Sequence, residues 1–174
     1  MLPVMPSLSR IRRQQILRAA EGYLELEMPR QALDSLSRLA EEEFNPIAWL
    51  LKGESLRALG ECEAAIVPLR KAADEAPSDM HVWLALGWCY KRIGRLDMAI
   101  ESLEEALEAA PNEAIIHYNL ACYWSLAGNK RQAILFLGQA LEIDPSYRDK
   151  IPGENDFDAI RHDPQFRMIT SVIV

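Results

Sequence analysis

Residues 80–112 read MHVWLALGWCYKRIGRLDMAIESLEEALEAAPN, and their spacing decides the fold. Trp83, Leu86, Gly87, Tyr90, Ala99, Leu103 and Ala106 alternate large with small side chains at intervals that keep them on helix faces. Gly94 supplies a turn between the two halves, and Pro111 ends the second half. Two short antiparallel helices that pack closely are what this pattern requires, with small residues where the backbones approach.

The rest of the chain echoes this unit. Ala65, Ala99 and Ala133 stand 34 residues apart, as do Ala72, Ala106 and Ala140, and the prolines Pro77, Pro111 and Pro145. An earlier unit fits at a spacing of 33, from Ala32 to Ala65. One helix pair has an apolar face too large to hide alone, and stacking neighbours completes the core. The spacing therefore predicts a loose leader over 1–8 and four helix pairs within 9–145, at about 12–45, 46–79, 80–113 and 114–147. A capping segment over 148–174 follows.

Local signals refine this outline. Ser9 is placed to cap the first helix, and Pro29 to open a second one running through Leu39 to about Glu43. Pro68 falls inside a predicted helix, where a missing N–H and a crowded preceding turn predict a bend or a locally loosened helix. After Pro145 the period fails, although Tyr147, Ile151, Phe157, Ile160, Phe166 and Ile169 remain as apolar anchors. Asn155 or Asp156 is expected to cap a short helix over 156–162, and Asp163-Pro164 to start a last one. This tail is expected to cover the open edge of the fourth pair.

Composition narrows the function classes. With 174 residues and 49% hydrophobic content, the chain is expected to fold. A net charge of -7 and a pI near 5.0 argue against non-specific nucleic-acid binding and against attraction to anionic lipid. No apolar run approaches the roughly 18 residues a membrane span needs, and the first residues lack a secretory pattern, so a cytoplasmic protein without membrane insertion is expected. The three cysteines, Cys62, Cys89 and Cys122, are an odd number, and Cys89 and Cys122, in predicted helices with no CxxC or nearby Cys/His companion, read as buried free thiols. His81, His117 and His162 are scattered, and no metal, nucleophile or phosphate-loop motif appears. Glu101, Glu104, Glu105 and Glu108 read as a solvated helix face rather than an acid pair. Neither an enzyme nor a cofactor is expected.

The motif W-x2-L-G-x2-Y followed by A-x3-F, then A and P, at a period of 34 resembles the tetratricopeptide repeat. Here it is carried by Trp83, Leu86, Gly87, Tyr90, Ala99, Leu103, Ala106 and Pro111. Lys52 departs from it in the second unit, and His117 and Trp124 in the fourth; the first unit keeps Tyr23, Ala32 and Leu39 but lacks the leading Trp and the central Gly. The tail segment DFDAIRHDPQFR resembles one that follows the last repeat in many bacterial proteins of this kind.

The resemblance implies an all-α, right-handed helical-repeat solenoid of about four antiparallel helix pairs with a C-terminal helical cap. It implies a scaffold or adaptor holding a peptide or helix of a protein partner on the concave side, which the first helix of each pair lines. The expected groove residues are Leu50, Glu54, Arg57, His81, Leu84, Trp88, Lys91, Tyr118 and Cys122. Trp88 stands out as an aromatic outside the packing slots, and Arg57, Lys91 and Arg92 as positive charge on the inner face of an acidic protein. Two other readings stay open: a small chaperone of a secretion or assembly system, and a self-associating structural subunit, such as a homodimer, joined through an exposed Leu-rich end face where the first helix leaves Ile16 and Tyr23 partly uncovered.

Overall fold

The computed structural model describes residues 6–171, with side chains from residue 9. Among the described residues eight helices form four pairs: α1 (Pro6–Glu25) with α2 (Pro29–Leu36), α3 (Pro46–Ala58) with α4 (Cys62–Glu75), α5 (Met80–Arg92) with α6 (Leu96–Ala109), and α7 (Ala114–Leu126) with α8 (Lys130–Ile143). A 3₁₀ stretch at Pro145–Gly153, a 3₁₀ turn at Asn155–Phe157 and α9 (Pro164–Thr170) complete the chain. Each pair packs on the next, and first helices also touch one another, α1 with α3 and α3 with α5. The fold is an all-α helical-repeat solenoid.

The recurring residues do the joining. Ala65, Ala99 and Ala133, and Leu69, Leu103 and Leu137, are fully buried between the helices of their pairs and the neighbouring pair. A Cβ added at Gly53 would come within 2.4 Å of Leu69 Cγ, so α3 and α4 approach as closely as they do only because that position has no side chain. The fourth pair takes Ala121 at the same slot. At the head of the first helices, Trp83 Nε1 donates to the Pro77 carbonyl at 2.8 Å, and His117 Nε2 makes the same bond to Pro111 at 2.8 Å. His117 thus replaces Trp without losing the contact, so α7, like α5, is tied to the proline closing the previous pair.

The loop inside each pair is a Schellman turn. Gly60, Gly94 and Gly128 adopt φ of 80°, 78° and 77°, and the residue after each donates back across the turn, as in Glu61 N–H to Leu56 O at 2.9 Å. In the first pair Glu27 fills this role at φ 56°, with Met28 N–H bonded to Tyr23 O at 2.8 Å. The chain therefore imposes the turn geometry even where the residue disfavours it.

Several local expectations are corrected. α1 begins at Pro6, so Ser9 lies within it rather than capping it. α2 stops at Leu36 instead of reaching Glu43: Arg38 and Leu39 bond three residues back, and Ser37 Oγ donates to Asp34 O at 2.7 Å, tightening the last turn. Leu39 still reaches the core. Ile16 is buried rather than partly uncovered, in a small cluster with Ala20, Ala32, Leu36 and Leu51 that holds the first pair to α3, whereas Tyr23 stays half-buried. No helix spans 156–162; the Glu154 side chain caps a single 3₁₀ turn. α9 does start at Pro164, with the Asp163 carboxylate accepting from the Gln165 and Phe166 amides.

Candidate functional site: the concave groove

The first helices present one face along the inner side of the solenoid. Leu50, Glu54 and Arg57 from α3, His81, Leu84, Ala85 and Trp88 from α5, and Ile115 and Asn119 from α7 line a cleft of about 460 Å³. Spacings of three and four residues bring each set to the same side of its helix. Leu50, Leu84 and Ile115 are half-buried and pack against the main core, so their exposed halves form an apolar floor on a rigid base.

Trp88 is the largest side chain of this cleft and is half-buried. The Arg57 guanidinium lies 5.1 Å from its ring centroid and that of Arg92 5.6 Å away, so two cations stand close to the ring. Arg57 is also bonded to Glu54, its Nε reaching Oε2 at 2.9 Å. Arg92 is exposed and has no ion pair among the described residues. His81 is exposed at the rim. Such a cleft can grip an amphipathic segment: apolar contact below, an aromatic wall, and charges at the edge.

Six of the nine expected residues are thus brought together, and three are not. Tyr118 and Cys122 are buried, and the tail crosses over them instead of stopping at the end face of the fourth pair. Phe157, fully buried, meets the Tyr118 ring edge-on at 5.7 Å between centroids and the Phe166 ring at 5.5 Å. Lys91 forms an ion pair with Asp156, far along the sequence. Arg161 holds the crossing loop in shape through the Ile151 carbonyl at 3.2 Å, the Glu154 carbonyl at 2.8 Å and the Asp158 carboxylate at 2.9 Å. Phe157 was legible as an apolar anchor, but nothing in the period says which surface it meets.

Beneath this crossing, Cys122, Glu154 and Asp156 bring one ligand atom each within 4.8 Å of one another, the set among the described residues that could hold a metal ion. Its chemistry is poor for that purpose. Burial, reinforced by the two carboxylates, pushes the Cys122 thiol far up, and Lys91 already occupies Asp156. Burial likewise raises the Tyr118 hydroxyl, and the Cys89 thiol to about 12 with Cys62 adding to the shift. All three cysteines are buried free thiols, and at neutral pH Cys89 and Cys122 are protonated and unreactive. Glu101, Glu104, Glu105 and Glu108 are exposed, as solvated helix residues are.

Two family models of the tetratricopeptide repeat match the chain, one over residues 17–80 and one over residues 81–113, together more than half its length. The chain belongs to the tetratricopeptide repeat family. Its fold is similar to that of MamA, at a TM-score of 0.72 and 21% identity, covering 78% of this chain and 80% of that one. It is similar to YrrB, described as a tetratricopeptide repeat protein with an unusual peptide-binding site, at 0.70 and 23% over 78% and 70% of the two chains. A third similar structure is a thermophilic tetratricopeptide repeat protein of Thermus thermophilus, at 0.67 and 19% over 90% and 96%. No curated protein matches the chain. Tetratricopeptide repeats mediate protein–protein contacts through a concave face. Among the described residues no helix is long and apolar enough to cross a membrane.

Proposed function

We propose that this tetratricopeptide repeat chain is a binding scaffold that holds a short segment of a protein partner in the cleft between α3, α5 and α7. The observation that carries this reading is Trp88, half-exposed on an apolar floor with two arginines close to its ring, an arrangement that the packing of the repeats does not require. Lys91, Tyr118 and Cys122 serve instead to seat the tail. A cytoplasmic, bacterial setting fits the composition and the resemblance of the tail segment.

The test is capture of partners by wild type and by Trp88→Ala from the same lysate, with the fold checked by circular dichroism. Partners held by the cleft drop several-fold in the Trp88→Ala sample; equal recovery rejects the cleft. Self-association is a second reading, favoured by Leu135 and Met168, exposed by 54% and 68% at the α8–α9 end. Light scattering on the purified chain decides it, since a monomer at micromolar concentration rejects a stable dimer.

A further inference from the structure

The repeat makes two successive steps of the concave face equivalent, and the chain itself fills one of them. Lys91, Tyr118 and Cys122 follow Arg57, Leu84 and Trp88 by 34 residues each, so the two trios hold matching positions on neighbouring pairs. On the filled step Asp156 pairs with Lys91 while the adjacent Phe157 packs on Tyr118. Both residues belong to one 3₁₀ turn, Asn155–Phe157, so a very short segment suffices to fill a step. On the open step the same kinds of side chain wait: a cation at Arg57 and apolar surface at Leu84 and Trp88.

We propose that the open cleft takes a short acidic–aromatic segment of a partner protein, an Asp or Glu followed directly by Phe, seated as the chain's own Asp156-Phe157 is seated one step further on. This rests on the scaffold reading above and adds the chemistry of the ligand. The aromatic ring enters between Leu84 and Trp88, where ring stacking adds to burial. The carboxylate meets Arg57, whose Nη1 is left by a Glu54 contact that uses Nε and Nη2. Arg92, beside the Trp88 ring and without an ion pair among the described residues, adds a second cation at the rim and tips the local charge toward an acidic ligand. The open step is the weaker of the two. Glu54 already shares Arg57, whereas the tail reaches Lys91 with the advantage of being on the same chain.

A direct probe is a synthetic peptide with the sequence of residues 153–162, GENDFDAIRH, blocked at both ends and titrated calorimetrically into the full chain. Saturable one-to-one binding is expected. Peptides carrying Asp156→Asn or Phe157→Ala should each bind at least about fivefold more weakly, as should the intact peptide to Arg57→Gln or Trp88→Ala protein. Arg57→Gln changes a partly exposed side chain, so it keeps the test valid if Trp88→Ala misfolds. Lys91→Gln protein should bind the peptide as wild type does. No binding, equal binding of a scrambled peptide, or loss of binding in Lys91→Gln alone, which signals exchange with the tail, each overturns the proposal. Those failures leave the scaffold reading intact whenever partner capture still depends on Trp88, so the two are separable.

Discussion

The first helix pair and the fourth differ in what lies on their outer sides. Outside the first pair no described element packs, and its second helix, α2, has shortened to eight residues where α4, α6 and α8 each have fourteen. Its core is a separate small cluster joined to α3, and its turn rests on Glu27 in a left-handed conformation. Outside the fourth pair the chain doubles back, sinking Tyr147, Ile151, Phe157, Ile160 and Phe166 into the main core. A terminal repeat stacks on one side only, so the repeat rules relax there. At one end they relax into a smaller unit, at the other into a tail that consumes part of the binding face.

The largest test of this contrast is Phe157→Ala. Emptying a fully buried aromatic site should cost about 3–5 kcal/mol in denaturant unfolding. It should also speed hydrogen exchange of the fourth pair more than of the first. A loss below about 1 kcal/mol would mean that the tail is not part of the core.

A smaller change of opposite sign is expected at the other end. Glu27→Gly places at the first turn the residue type that the other three pairs use at φ near 80°, and should stabilise the chain by about 1 kcal/mol. The Glu27 side chain is exposed, so the change removes little packing, and a lower melting temperature would refute the strain argument.

The smallest effect is electrostatic and belongs mainly to the tail. Hydrogen bonds from Ser146 hold the Asp144 carboxyl below the ordinary aspartate value of 3.8, and the Lys130 hydrogen bond does the same for Asp163. A carboxyl lowered in the folded state stabilises above its unfolded value and loses that contribution as pH falls through the folded one. The melting temperature should therefore decline as pH drops below about 4, and less steeply in Asp163→Asn, which keeps a capping oxygen but no charge. At the opposite end Glu41, lowered by Lys52 and Lys71, titrates in the same direction from 4.5.

Much of this architecture was legible in the sequence because each repeat obeys a local constraint. The alanines, prolines and turn glycines mark positions where helices must approach or stop, and those needs are visible within a few residues. The shorter α2 was not legible, since Ser37 ends it through a side-chain bond that competes with the next helical turn. In the site, spacing put Leu50, Glu54 and Arg57 on one side of their helix and His81, Leu84 and Trp88 on one side of theirs, and the resemblance to the tetratricopeptide repeat turned both toward the groove. Tyr118, Cys122 and Lys91 satisfied the same spacing and nevertheless went under the tail.

What the sequence by itself determined is therefore the periodic part: paired helices, their stacking, and which residues share a helix face at each step. Only the tertiary structure decided which inward-facing steps stay open. Periodicity is local, but the Asp156–Lys91 and Phe157–Tyr118 contacts join an aperiodic tail to helices 65 and 39 residues away. They form because an uncovered apolar face and an available cation favour whatever complementary segment the chain can bring back to them.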